Sequence, residues 1–283
     1  QARDVEARGL DAVWMPQMFG FDALGALTAI GREVPRLKLG SAVTPTYPRH
    51  PHSLAMQAIT TASATGERFR LGIGLSHRLV IEDMLGYSYA KPARHMREYL
   101  SVLAPLLRGE QASFEGEDYR VQGLQVERPQ VADLPLIVAA LGPVMLKLAG
   151  EMADGTITWM VGPKTMAEHI APRIGEAASA AGRPAPTVVG GFPVVLTNDP
   201  DGARQKIGKA LEIYGQLPSY RAMLDREGAA NPEDLAIVGD EAALRDALGR
   251  VRDAGVTHLN AAVLPVEDGA YDRTLAFLAD NPL

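Results

Sequence analysis

Short apolar runs alternate along this chain with stretches whose apolar residues recur at helical spacing, and that alternation constrains the fold more than any other feature. The runs are Ala12 to Met15, Leu37 to Val43, Phe69 to Leu75, Pro135 to Leu141, Thr156 to Val161, Thr187 to Leu196 and Thr257 to Leu264. Each has the length and flanking turn residues of a buried strand. Helical patterns lie between them at Ser53 to Ala64, Lys91 to Leu107, Val144 to Ala153, Lys164 to Ala181, Asp201 to Leu211 and Ala242 to Ala254. In the second of these Met96, Tyr99, Leu100, Leu103, Leu106 and Leu107 mark one face. Such alternation implies a parallel sheet covered by helices. A length of 283 residues suits one α/β barrel.

We therefore expect a (β/α)8 barrel, with residues 1–283 as a single domain. A hairpin insertion is expected near 111–131, where Ala112 to Val126 alternates polar and apolar residues around Gly116. A loop-helix excursion is expected near 212–240, a stretch that includes the proline-containing, mixed-charge Leu217 to Asp240. A closed barrel takes eight strands, yet seven runs are visible and the chain opens on the helix-like Ala2 to Arg8. A first strand is thus expected to be missing from the wall.

Charge and composition remove several functions. The net charge of −6 is spread without a basic run, which leaves no footprint for nucleic acid or an anionic membrane. No apolar stretch reaches the ~18 residues of a spanning helix, and the opening QARDVEARG lacks the regions of a signal peptide, so the expected location is the cytoplasm. With no cysteine there is no disulfide, thiolate metal site or thiol nucleophile, and the six histidines show no paired helical spacing. No metal is expected.

In a barrel the chemistry belongs to residues just past each strand's C-terminal end. Here these are Gln17, Val43 to Thr46, Gly74 to His77, Ala140 to Gly142 and Trp159 to Gly162. Gly72-Ile-Gly74 puts small residues where a flat ring or phosphate could approach the backbone, although turn chemistry accounts for the same pair. Ser76 and His77 can both donate to an anion, and Arg78 adds charge. Leu141 and Gly142 precede Pro143 and a helical pattern, which is either a phosphate site at a helix start or an ordinary strand-to-helix turn. Trp159 ends its strand as a pocket wall or as core, whereas Trp14 lies mid-strand and reads as structural. The basic loop Tyr47 to His52 is either solvated or a landing place for an acidic tail.

Several stretches together resemble the luciferase-like flavin and deazaflavin oxidoreductases. They are GLDAVWMPQ at Gly9 to Gln17, LGSAVTPTYPRHP at Leu39 to Pro51, GIGLSH at Gly72 to His77, KPARHMREY at Lys91 to Tyr99, AGEMADGTITW at Ala149 to Trp159 and VGDEAALRDALGRVRDAGVTHL at Val238 to Leu259. The wording is most similar to the members assigned to the deazaflavin coenzyme F420. That resemblance implies a luciferase-like barrel and a homodimer. It also implies hydride transfer between F420 and a small organic substrate. The cofactor-binding residues it implies are Ala42, Val43, Thr44, Gly74, Ser76, His77, Ala140, Leu141, Gly142, Trp159 and Gly162. It further places a non-prolyl cis peptide at Ala42-Val43. Deazaflavin dehydrogenases of the family commonly carry Asp-His after strand two and Glu after strand four, where this chain has Gln17-Met18 and His77. His77 is then the acid or hydrogen-bond donor and Gln17 a neutral orienting amide, which favours reduction of an activated double bond. The alternatives are an FMN-dependent monooxygenase and an idle flavin-binding barrel.

Overall fold

The structure is a computed structural model and describes residues 1–129 and 131–283; Gln130, inside the 111–131 insertion, lies outside the described residues. Its strands are β1 (Ala12–Met15), β2 (Lys38–Ser41), β3 (Thr44–Pro45), β4 (Phe69–Gly74), β5 (Ala112–Glu115), β6 (Arg120–Leu124), β7 (Leu136–Ala139), β8 (Gly155–Trp159), β9 (Thr187–Leu196), β10 (Ile237–Gly239) and β11 (His258–Val263). Its helices are α1 (Ala2–Ala7), α2 (Ala23–Glu33), α3 (Pro51–Ala64), α4 (Pro92–Leu107), α5 (Pro143–Met152), α6 (Pro163–Thr165), α7 (Ala171–Ala180), α8 (Pro200–Gln216), α9 (Pro218–Glu227), α10 (Glu241–Asp253) and α11 (Ala270–Asp280). Proline stands in the first turn of α3 to α6, α8 and α9, where its missing N–H has no intrahelical partner to lose.

The parallel sheet runs β1-β2-β4-β7-β8-β9, with β10 and β11 both on β9 and the short β3 on β4. It curls as a barrel wall does and stays open between β1 and β11, which share no pairing among the described residues. Every residue of these two edge strands is only half-buried, whereas β4, β7, β8 and β9 are buried almost throughout. The expected gap in the wall corresponds to these two unpaired edges among the described residues.

The hairpin β5–β6 sits on α4 through one buried carboxylate. Glu98 accepts from the backbone N–H groups of Glu117, Asp118 and Tyr119 at 3.1, 2.7 and 3.0 Å. One turn away, His95 holds the loop after β3 from below. Its Nε2 lies 3.0 Å from Thr46 Oγ1, and its ring stacks on Tyr47 at 3.8 Å with an interplanar angle of 1°. Burial pushes the His95 imidazole down to about 4, so it is neutral at pH 7. The rim loop that follows β3 is therefore fixed by α4.

Candidate active site

A cavity of about 1580 Å³ opens at the C-terminal ends of the strands. That exceeds the ~300–1,000 Å³ of an ordinary small-ligand pocket and leaves room for two ligands together. Its floor is apolar, built on Ile137, Ile157 and Val189 with Trp14, Ala42, Val43 and Ala139 packed on them. Trp14, expected to be purely structural, both lies flat on Gly40, where a Cβ would come 2.3 Å from its ring, and lines the cavity.

The peptide Ala42–Val43 is cis, and both residues line the cavity. The glycines of β4 answer to this bulge. A Cβ on Gly72 would meet the Ser41 carbonyl oxygen at 1.9 Å, and one on Gly74 would meet Val43 Cγ2 at 2.5 Å. Ser41 Oγ ties the two segments by donating to Gly72 O at 2.8 Å and accepting from Gly72 N at 2.9 Å. The small residues serve the chain's own close approach, and of the two only Gly74 also lines the cavity.

Gln17 and His77 both face the cavity. The Gln17 carbonyl Oε1 accepts from Ala23 N at the start of α2, at 3.3 Å. A backbone N–H can only donate, so the amide nitrogen is the end left for a ligand. Burial lowers the His77 imidazole's pKa, leaving it neutral at pH 7. Ser76 precedes it in a left-handed conformation, φ 59°, with its carbonyl held by the Tyr89 hydroxyl at 3.2 Å. The lining residues include one carboxylate, Asp22, and one guanidinium, Arg49, and these two form an ion pair with each other. Asp22 also caps α2 by accepting from Gly25 N. The basic loop, read as either solvated or a landing place for an acidic tail, has its arginine internally matched, and Arg78 likewise pairs with Glu82.

Ala140, Leu141 and Gly142 lead from β7 into α5 along the cavity wall. No side chain caps α5, and a Cβ on Gly142 would meet nothing within 4 Å. A histidine not singled out in the sequence orients this turn. Arg173 Nε donates to His169 Nδ1 at 2.9 Å, which puts the ring proton on Nε2, 2.8 Å from the Leu141 carbonyl. With that carbonyl held, planarity of the trans peptide sends the Gly142 N–H the opposite way. The uncapped turn has the donors and the space to take the phosphate of a flavin or deazaflavin.

Thr44 and Gly162 fall outside the cavity lining. Thr44 is fully buried in the short strand β3. Gly162 leaves room for Glu227, whose carboxylate accepts from Lys164 N at 3.1 Å and Thr165 N at 2.7 Å; a Cβ there would lie 2.2 Å from that carboxyl carbon. Trp159 lines the cavity beside Tyr214 and Tyr220 of the α8–α9 excursion, although the sequence reading singled out neither tyrosine. Asn260 of β11 was also missed, although a lone amide inside the apolar run Leu259 to Leu264 is a readable signal.

The sequence model described as luciferase-like monooxygenase matches residues 1–258. The curated relatives similar to the chain include two that illustrate the range. The 5,10-methylenetetrahydromethanopterin reductase of Methanolobus tindarius is 28% identical over 247 residues, covering 87% of this chain and 74% of that protein. The F420-dependent glucose-6-phosphate dehydrogenase of Mycolicibacterium fortuitum is 31% identical over 186 residues, 63% of this chain and only 55% of that protein. In fold, the coenzyme F420 dependent tetrahydromethanopterin reductase from Methanopyrus kandleri superposes with a TM-score of 0.82 at 23% identity, over 99% of this chain and 94% of that one.

Proposed function

The chain belongs to the luciferase-like monooxygenase family, and on that premise we propose that it is a coenzyme F420-dependent oxidoreductase that reduces an activated double bond of a small organic substrate. The observation that carries this reading is the continuity of one cavity from the uncapped Leu141–Gly142 turn, across the apolar floor, to the neutral donors Gln17 and His77. The similarity to an F420-dependent dehydrogenase supports F420 as the cofactor.

Bound F420 would supply a hydride, and its carbon in place of the flavin nitrogen N5 leaves little reaction with dioxygen. The chain's own residues account for the remaining tasks. The Gly142 amide and the first turn of α5 hold the phosphate, and Ala42, Val43 and Gly74 wall the ring. Trp14 and the floor exclude water. Gln17 donates its amide hydrogens to a ring or substrate acceptor. Neutral His77 donates an N–H to the oxygen that polarises the substrate's double bond, in a dry site where one hydrogen bond counts most. A base-driven alcohol oxidation is less well supported, because the cavity's one carboxylate, Asp22, is both ion-paired and capping a helix.

The test is a titration of the purified protein with F420 and, separately, with FMN, followed by cofactor fluorescence and thermal stability. Selective saturation by F420 is the expected result. Selective binding of FMN would replace this reading with an FMN-dependent monooxygenase, and binding of neither would remove both.

A further inference from the structure

The mouth of the cavity carries four rings from three separate parts of the chain. His77 follows β4, Trp159 ends β8, and Tyr214 and Tyr220 flank the Leu217–Pro218 turn between α8 and α9. Tyr214 and Tyr220 meet edge to face at 5.0 Å and 84°. His77 lies 5.8 Å from Tyr220 and 6.4 Å from Tyr214, and Trp159 lies 6.4 Å from Tyr214. All four line the cavity. None carries charge at pH 7, since burial lowers the His77 pKa and raises those of both tyrosines.

The surroundings of this box are as informative as the rings. The lining offers an anion no unmatched guanidinium or ammonium, because Arg49 is held by Asp22. Two neighbouring strands end in helix starts with opposite fates. After β7 the start of α5 is open. After β8 the backbone N–H groups of Lys164 and Thr165 are taken by the Glu227 carboxylate, at the end of the helix that carries Tyr220. The helix that brings the aromatic ring to the mouth thus also closes the second place where a phosphate could be met by backbone donors.

We infer that this box is the substrate subsite and that it takes an uncharged planar compound, an aromatic or conjugated carbonyl such as a quinone or enone, with Tyr214 and Tyr220 as specificity-determining residues and sugar phosphates excluded. The inference deepens the reading above and rests on it for the identity of the reaction, while the binding geometry stands on the four rings alone. Ring faces give apolar area and offset or edge contacts that suit a flat partner. The His77 N–H supplies a directed donor for its carbonyl.

The test uses the cofactor-free full chain, whose two tryptophans both line the cavity and so report its occupancy by fluorescence. The probes are 2-methyl-1,4-naphthoquinone and glucose 6-phosphate. Saturable quenching by the quinone and none by millimolar glucose 6-phosphate is expected. Tyr214→Ala and Tyr220→Ala should each weaken quinone binding about tenfold, the loss of one well-placed ring contact with its buried area. Tyr214→Phe and Tyr220→Phe keep the face and should stay within about threefold. F420 affinity should be unchanged in all four, which separates a subsite effect from general unfolding. Wild-type quinone affinity in folded Ala variants, or glucose 6-phosphate binding as tightly as the quinone, would overturn the inference. If F420 saturates the protein and the quinone never binds, the subsite falls and the function stands. If the quinone binds in the box and F420 does not bind, the subsite stands and the proposed function falls.

Discussion

Replacing Gly72 by alanine tests whether the small residues of β4 serve the chain or the ligand. The added Cβ would sit 1.9 Å from the Ser41 carbonyl oxygen, against an ordinary closest C···O approach of about 3.3 Å, so one backbone must move by about 1.4 Å. No side-chain rotation relieves a backbone clash. Overpacking of this kind costs about 1–3 kcal/mol. The movement also breaks both hydrogen bonds between Ser41 Oγ and Gly72, at about 1 kcal/mol each. The sum, about 3–5 kcal/mol, is a large part of a typical folding margin. At about 2–4 °C per kcal/mol for a chain of this size, the melting temperature should fall by about 6–20 °C. Gly142→Ala is the control, because its Cβ enters open space at an ordinary φ of −82°. It should melt with the parent and lose only F420 affinity. The assay is thermal and urea unfolding of both variants alongside cofactor titration. A Gly72→Ala protein that melts within about 2 °C of the parent would refute the reasoning.

Two further outcomes follow from buried histidines. His169→Ala should weaken F420 binding about three- to tenfold, the worth of one hydrogen bond, by freeing the Leu141 carbonyl, and His169→Gln, which can place a donor near the same point, should recover most of it. Equal losses in both, measured by fluorescence titration, would assign His169 to packing alone. His95 carries a pH dependence whose sign follows from its depressed pKa. Between the unfolded value of 6.5 and the folded value of about 4 the unfolded chain binds the extra proton, so stability falls as pH drops through that window. The loss amounts to about 3 kcal/mol for this buried group, read from urea midpoints at pH 7 and pH 4. His95→Gln should flatten that part of the profile, and an unchanged slope would exclude His95 as its source.

Much of the sheet was legible because strands buried on both faces must be continuous apolar runs, and Thr187–Leu196 was read to the residue. Of the elements that escaped, β10 and α11 lack such a signal. Strand β10 is three residues long and lies inside the mixed-charge excursion, where position 239 is a glycine at φ 152°. Helix α2 does carry an apolar stripe through Leu24 and Leu27, and Asp22 supplies the N-cap that marks its start, so this element was readable and was passed over. Helix α11 hides its buried face, Ala270, Thr274, Leu275, Phe277 and Leu278, behind a threonine in the core.

The site divides along a different line. Topology alone brings Gln17, His77, Leu141, Gly142 and Trp159 to one end of the sheet, and sequence order suffices to place them there. Sequence does not say what occupies the space a residue leaves or the charge it carries. Gly72 and Gly142 read alike as small residues at strand ends, yet one accommodates a carbonyl and the other faces a cavity. Arg49 reads as a free cation in a basic loop, yet Asp22 neutralises it from another segment. Gly162 is implied as a cofactor-binding residue, yet Glu227 fills the space beside it from a helix more than sixty residues on. In each case the deciding contact is distant in the chain; for Gly72 the consequence is steric, and for Arg49 and Gly162 it is electrostatic. A loop that looked basic has its arginine paired, and a helix start that looked open is closed, which leaves α5 as an uncapped helix start on the cavity wall and the aromatic mouth without an unmatched cation.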